Sequence, residues 1–423
     1  MKITSRTKKI WDVVVIGGGP AGMMAATTAA DTGATVLLLE KNQTLGKKLR
    51  ITGGGRCNVT NNRPVNRDML EKYPTEGKFL FSTFSQHGVS ESINWFTSRG
   101  VELKEENEQR LFPVTDSAET IFETLYQALQ KSGVDIESNS AVKNIVYKMT
   151  ENQWEVQTVH QTFFTKSCIL ATGGLARPET GSTGDGFELL QQLGHTIVPN
   201  NFALVPLTLK NNWVRTLSGV TLSDIKLTIR AADRKHSVHT GKLLFTHVGV
   251  TGPTILNMSK TIGELLSYGS VTLLVDLLPQ LDDTQLKEKL NTVLSEHSNK
   301  KIRNTLGSII PAAVAKVVLE ELLIAGDTPC HSVSKHDRVA LRRYLKAMPL
   351  EVAGLLGSAK AVISAGGVDL TEVHFKTMES LLCPHLYIVG DLLNINRPSG
   401  GYSLQLCWST GWVAGQHAGL GSK

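Results

Sequence analysis

The sequence predicts an α/β protein in which a doubly wound parallel sheet, assembled from both ends of the chain, is interrupted by an inserted β-barrel module and a helical subdomain. Three observations predict it. Between Asp12 and Lys41 an apolar strand, a glycine-rich turn, a helix of small residues and a second apolar strand follow one another. From about Val198, short strand-forming segments separated by turn residues dominate. The C-terminal segment returns to an apolar strand, a glycine-rich loop and a helix.

The first of these carries the most information. The strand Val13–Ile16 runs into Gly17-x-Gly19-x-x-Gly22, and the strand Thr35–Leu39 ends in Glu40, about 20 positions after the glycines. This is a complete Rossmann-like dinucleotide-binding βαβ unit. Gly17 permits the turn, Gly19 admits backbone N–H groups to a pyrophosphate, and Gly22 lets the helix pack close to the strand. The helix N-terminus, with Pro20 and Ala21 in its first turn, presents partial positive charge to phosphate. Glu40 is placed to accept hydrogen bonds from a ribose.

A basic, glycine-rich loop, Gly46–Asn62, comes next. Helical periodicity marks Ala118–Gly133, and strands are expected at Ala141–Tyr147, Trp154–Thr158, Phe163–Lys166 and up to Leu170. The inserted β module takes Leu204–Leu209, Ile225–Ile229, Lys242–Phe245 and Val271–Leu274. Helices are expected at Gln285–His297, Ala312–Ala325 and Lys335–Lys346, and strand patterning returns near Glu351–Ala365. The implied division is a nucleotide domain of residues 1–197 and 364–423, a barrel-like domain of 198–280 and 349–363, and a helical subdomain of 281–348. The closing strand, Leu386–Asp391, makes sense beside the first βαβ unit, where its C-terminal end meets the ligand crevice. The helix Ser403–Gly419 follows it.

Composition narrows the class. The 423 residues are 41% hydrophobic and 19% charged, with a net charge of +6, as in an ordinary soluble globular protein. No dense basic run with interleaved aromatics is present, which argues against a nucleic-acid partner. The basic segment Lys2–Lys9 before an apolar stretch mimics a secretory signal, but Asp12 and Gly17–Gly19 interrupt it and fit the nucleotide fold. No uncharged apolar run reaches the ~18 residues of a membrane span. Cys57, Cys168, Cys330, Cys383 and Cys407 are odd in number, scattered and without a CxxC pair, so a cytoplasmic setting is expected. His236 and His239 lack a completing Cys or carboxylate, so no metal site is expected.

Three further motifs turn a generic nucleotide site into a flavin site of the two-dinucleotide-fold type. Ala171-Thr172-Gly173-Gly174 follows a strand and brings backbone close to a bound dinucleotide. Gly390-Asp391 ends another strand and places a carboxylate on the ribityl chain. Gly400-Gly401-Tyr402-Ser403 opens a helix whose free N–H groups face the flavin pyrimidine edge. In the loop Thr52–Asn58, three consecutive glycines lose much entropy on ordering, which suggests a ligand or another backbone close by. There Arg56 is a candidate for a pyrophosphate or an anionic substrate. Cys57 is either reactive or a buried inert thiol, and Asn58 either caps a turn or touches flavin. Gly181–Gly186, with Asp185 as a possible N-cap, and Phe245–Pro253, with His247, are candidates to line a substrate pocket.

Taken together these residues resemble the BaiN/RdsA-type (YhiN-like) NAD(P)/FAD-dependent oxidoreductases over essentially the whole chain. GKKLRITGGGRCNVTNN (Gly46–Asn62) is the most specific element, and ATGG, GSTGDG, LLFTHVGVTGP, AGGV (Ala365–Val368) and GGYSLQ follow in the family's order. The resemblance implies FAD contacts at Gly17, Gly19, Gly22, Glu40, Gly173, Asp391, Gly400 and Gly401. Pro20, Ala21, Lys41, Lys48, Gly54, Arg56, Cys57, Asn58, Val142, Ala171, Thr172, Gly390 and Tyr402 complete the expected cofactor set. There are departures: Asp391, Asn394 and Ser403 stand where the family usually has Glu, Asp and Asn, and NINRPS (Asn394–Ser399) replaces an acidic, glycine-containing turn.

The expected function is an FAD-dependent oxidoreductase that uses NAD(P)H to reduce an activated C=C bond of a small organic substrate. No second Gly-x-Gly-x-x-Gly unit is evident, so the nicotinamide is expected to bind transiently. The alternatives are an O2-dependent flavin oxidase of a small amine or hydroxy acid, and a flavin-loaded binding or RNA-associated protein. Tyr402, His247 and Cys57 are the candidate proton donors.

Overall fold

The computed structural model describes residues 9–63, 65–73, 76–231, 234–356 and 363–421. Most of the signal-like segment Lys2–Lys9 and part of the strand region expected at Glu351–Ala365 lie outside these. The chain divides into two compact units, Met1–Phe202 with Ala361–Lys423, and Ala203–Lys360.

In the first unit the expected βαβ unit forms from β1 (Ile10–Ile16), α1 (Pro20–Asp31) and β2 (Val36–Leu39). Every side chain of β2 is buried, as a strand covered on both faces requires. The sheet continues with β3 (Asp135–Glu137), β4 (Val142–Lys148), β5 (Gln153–Thr158), β6 (Thr162–Leu170) and β7 (Leu386–Ile388). Its order is β3-β2-β1-β6-β5-β4, with β7 also on β6. The strand expected to end at Lys166 and the one reaching Leu170 are thus a single strand. Its outer edge is shared: Phe163 and Phe164 pair antiparallel with β5, whereas Cys168–Leu170 pair parallel with β7.

Register decides where a ligand goes. Ile16 lies beside both Leu39 and Leu170, and Leu170 beside Ile388. Four parallel strands, two from the N-terminal third, β6 and the C-terminal β7, therefore end at one edge. The crevice outside the carboxyl ends of such strands is the binding place in open α/β sheets. The long C-terminal helix α2 (Tyr402–Gly421) lies against α1. Gly411, Gly415 and Gly419 face α1 so closely that a Cβ at Gly411 would stand 2.4 Å from the Ala21 carbonyl oxygen, and one at Gly415 2.4 Å from that of Ala25.

In the second unit six strands close an antiparallel barrel in the order Leu207–Leu209, Gly249–Thr251, Arg234–Phe245, Thr221–Ala231, Val271–Asp276 and Met348–Leu355. Helices Asp283–Glu296, Ala312–Glu321 and Lys335–Lys346 bury Leu286, Leu290, Val314 and Leu341 in one core with the barrel's Leu227, Ile229 and Leu273. A further helix, Pro253–Leu266, begins where the expected pocket segment Phe245–Pro253 ends.

Candidate functional site

A cleft, partly open to solvent, lies at the edge where the four parallel strands end. Of the expected residues, Gly17, Gly19, Pro20, Ala21, Glu40, Lys41, Lys48, Val142, Ala171, Thr172, Gly173, Gly390 and Asp391 line it.

The glycine turn is shaped by close approach. Gly17 has φ +108°, and a Cβ there would stand 2.5 Å from the Ala171 carbonyl oxygen; one at Gly22 would stand 1.9 Å from that of Gly17. Turn, helix and the exit of β6 are therefore pressed together by residues without side chains. Gly19 is different: a Cβ there meets nothing within 4 Å, so its backbone faces open cleft. No side chain caps α1, which leaves its first N–H groups for a ligand.

Glu40 is buried and organises its surroundings. Oε2 accepts from the Gly18 N–H at 2.8 Å, while Oε1 accepts from the Asn42 N–H at 2.8 Å and the Asn42 Nδ2 at 2.7 Å. A carboxylate has about four acceptor directions, so one remains on Oε2. Thr172 Oγ1 is buried and has no hydrogen-bond partner among the described residues. An orphaned hydroxyl, an open glycine backbone and an acceptor in reserve are what a site built for a polar dinucleotide contains.

Part of the lining is electrostatic. Lys48 Nζ lies 3.2 Å from Asp391 Oδ2 and 3.3 Å from Ser182 Oγ. The other oxygen of Asp391 accepts from Arg397, whose side chain is fully buried and also donates to Ser403 Oγ at 3.0 Å and the Ile395 carbonyl at 2.8 Å. Burial pushes the Asp391 carboxyl up, but Arg397 and Lys48 outweigh it and hold the group below the usual carboxylate range. Two cations thus meet one carboxylate. Thr410 of α2 accepts from the Gly390 N–H at 3.1 Å, which fixes this end of the cleft to the C-terminal helix.

Several expectations change. The turn Gly181–Gly186 lines this same cleft through Gly181, Ser182 and Asp185 instead of forming a separate pocket. Gly184, not Asp185, caps the helix Asp185–Gln192. The Asp185 carboxylate faces Lys41 at 2.8 Å, because Lys41 is the nearest cation across the cleft. Arg56 does not line the cleft. Its guanidinium is taken by Glu106 and by Asp116 and stacks 4.3 Å over Phe112, and the two acids raise its pKa further. Cys57 is buried with its thiol pushed up to about 12 by burial, which suits neither a nucleophile nor an accessible acid.

Gly54, Asn58, Gly400, Gly401 and Tyr402 also lie outside the lining. With its amide oriented to satisfy its neighbours, Asn58 accepts from the Gly401 N–H at 2.9 Å and donates to the carbonyls of Thr60 and Leu111. The glycine pair lets α2 begin against the strand Thr60–Asn61, since a Cβ on Gly401 would stand 2.4 Å from Thr60 carbonyl carbon. Tyr402 is buried, and its hydroxyl receives the Arg63 Nε–H at 3.3 Å. His247 is exposed on a turn of the second unit. Sequence reasoning missed Asn42, Lys47 and Cys407, which also line the cleft. Asn42 and Lys47 follow Glu40 so closely that the end of β2 was signal enough; Cys407 had none.

Comparison with known proteins agrees with this geometry. The chain is 31% identical to the 3-dehydro-bile acid delta(4,6)-reductase of Clostridium scindens, over 96% of this chain and 98% of that one. It is 30% identical to the ribosomal RNA dihydrouridine synthase of Escherichia coli, over 96% and 97%. A solved 3-ketosteroid-delta4-(5alpha)-dehydrogenase from Rhodococcus jostii RHA1 superposes with a TM-score of 0.56, at 14% identity and 98% coverage of both chains. The open conformation of a flavocytochrome c3 fumarate reductase does so with 0.56, at 18% identity, covering 99% of this chain and 79% of that one. At those identities the two structures speak for the fold.

The class is therefore a Rossmann-fold, flavin-dependent oxidoreductase. A profile described as HI0933-like protein Rossmann domain matches residues 11–417, and the chain belongs to that family. Because one relative is named for ribosomal RNA, the thin basic patterning of the sequence is no ground for excluding nucleic acid. Among the described residues, no helix is long and apolar enough to cross a membrane.

Proposed function

We propose that this protein is an FAD-dependent reductase that takes hydride from NAD(P)H and saturates a carbonyl-activated C=C bond of an organic substrate. The observation that carries the cofactor assignment is the cleft itself, whose lining brings together the open backbone at Gly19, the orphaned Thr172 and the carboxylate of Asp391, held below its ordinary pKa. The N-terminus of α1 and Gly19 hold the diphosphate. Glu40 offers its remaining acceptor on Oε2 to a ribose hydroxyl, and Asp391, kept ionised by Arg397 and Lys48, accepts from the ribityl chain. Lys41 and Lys48 offset the diphosphate charge. Bound FAD supplies the hydride-transfer chemistry; the chain supplies orientation and electrostatics.

The reaction type rests on the two relatives above, whose names both denote saturation of a C=C bond conjugated to a carbonyl. No comparable observation favours an oxidase. The test is to load the purified chain with FAD, add NADPH or NADH without oxygen, and follow bleaching of the visible flavin bands. Adding a conjugated enone or a uridine oligonucleotide should then restore the colour. A chain that binds no flavin, or that releases peroxide from amines or hydroxy acids without NAD(P)H, overturns the reading.

A further inference from the structure

One stretch of the cleft's lining has no hydrophobic anchor of its own. After β6 the chain passes Ala176, which is buried, and reaches Phe187 of the helix Asp185–Gln192, which is also buried. The ten residues between them, RPETGSTGDG (Arg177–Gly186), include no large apolar side chain. Segments that bury so little apolar surface lie at the low-stability end of a fold and open locally. Gly181 and Gly184 have φ +103° and +90°, a region open to glycine at little cost. A few such positions suffice to absorb a hinge motion.

Polar bonds from the residues that follow β2 tie this stretch down. Lys41 Nζ donates to Asp185 Oδ2 at 2.8 Å and to Thr183 Oγ1 at 2.5 Å. Asn42 Nδ2 donates to the Thr180 carbonyl at 3.2 Å, and Lys48 Nζ to Ser182 Oγ at 3.3 Å. The turn lies tight against Asn42, since a Cβ on Gly181 would stand 2.5 Å from Asn42 Nδ2. Except for Thr183, both partners of each of these bonds line the cleft, so they fasten one part of the lining to another. Side-chain exposure falls from Asp185 (46%) and Lys41 (27%) to Lys48 (20%). The Lys41–Asp185 pair therefore stands on the solvent side, and Lys48 deeper. An ion pair of that exposure adds little to overall stability, which suits a contact that is broken and remade.

We propose that Thr180–Asp185 is a strap that closes the cleft over its dinucleotide and opens to let it in and out, with the Lys41–Asp185 pair as its latch. Naming FAD as the occupant rests on the redox reading above. The latch is closed in the empty and in the loaded protein, so breaking it lowers the barrier to uptake and to release alike and leaves affinity unchanged. A side chain that merely touches the cofactor behaves otherwise, because its loss alters release and affinity together. Removing an acid that only repels an anionic diphosphate would speed uptake and slow release.

The test is stopped-flow flavin fluorescence of the full chain, following FAD uptake by the empty protein and FAD release on dilution. Uptake by wild type is expected to level off as FAD is raised, at the rate at which the strap opens, where a simple encounter would keep climbing in proportion. Asp185→Asn should speed uptake and release by one common factor, about 2- to 5-fold, the worth of one partly exposed ion pair, and leave Kd unchanged. Carbodiimide gives a second measurement without a substitution. It condenses the Lys41 amine with the Asp185 carboxylate, 2.8 Å apart, into an amide with loss of water. Loaded protein bearing that cross-link, located by peptide mass spectrometry, should keep its FAD through dilution, and empty protein bearing it should take none up. Faster release without faster uptake, faster uptake with slower release, wild-type rates in Asp185→Asn, or normal exchange by cross-linked protein overturns the strap. If wild type takes up no FAD, the redox reading falls and the same rates are read with NADH, whose fluorescence reports binding. A chain that binds neither dinucleotide overturns both.

Discussion

Removing the carboxylate of Asp391 should cost far more than removing a surface charge, and a second substitution should restore much of the loss. The Arg397 side chain is 0% exposed and that of Asp391 13%. Asp391→Asn leaves a guanidinium that cannot deprotonate beside Lys48 with no countercharge, Ser403 and the Ile395 carbonyl being retained as neutral acceptors along with the new amide oxygen. Breaking a buried pair from one side costs roughly 3–5 kcal/mol; with two acceptors retained, the lower end, about 3 kcal/mol, is expected. At roughly 2–4 °C per kcal/mol for a domain of this order, the apo-protein midpoint should fall about 6–12 °C. Arg397→Leu should cost less, because Lys48, 3.2 Å away, still pairs with Asp391. The double variant should lie close to Arg397→Leu alone, a coupling of about 3 kcal/mol in a double-mutant cycle read by urea denaturation. The pH dependence has a definite sign. A carboxyl depressed in the folded state contributes stability that is present above its ordinary pKa of about 3.9 and lost as pH falls through the folded value. Acid sensitivity below about pH 4 should therefore be smaller in Asp391→Asn than in wild type. Single-variant losses that simply add, within about 0.5 kcal/mol, would show that the two groups are not coupled and that the wall of the cleft is not built as described.

Two further outcomes follow from packing and burial. Gly415→Ala places a methyl group 2.4 Å from the Ala25 carbonyl oxygen, so it should destabilise by roughly 1–3 kcal/mol and, by shifting α1, weaken FAD retention on a desalting column; wild-type retention and midpoint would refute the tight seam. His87 is buried and stacked on Trp412 with ring centroids 5.1 Å apart, and burial lowers its pKa to about 4. Between about pH 6.5 and 4 the unfolded chain binds the extra proton, so stability falls with pH by up to about 3 kcal/mol. His87→Phe should keep the stack and remove that slope in pH-resolved thermal melts.

The strand ends, the glycine turn and the acid after β2 were legible because backbone geometry dictates them locally. A turn pressed against its neighbours tolerates only glycine, and a parallel strand buried on both faces reads as an apolar run whatever surrounds it. The pairing of the last strand with this edge was also legible, from chain order and the carboxylate at its end. The partners of individual side chains were not. Arg56 looked like a phosphate ligand because its two acids, Glu106 and Asp116, come from 50 and 60 positions further along. Within NINRPS the sequence showed only the replacement of an acidic turn, and the fold alone shows Arg397 buried on Asp391 and Ser403. Glycines repeating every four residues in α2 mark a close contact, but nothing local says that the other surface is α1.

By itself, then, the sequence determined which segments form the nucleotide edge and in what order, since hydrophobic period, turn chemistry and glycine spacing act over a few residues. Tertiary structure alone decided which charges meet. Coulombic and hydrogen-bond partners are chosen by proximity in space, and strand register, helix seams and barrel closure set that proximity between residues far apart in the chain.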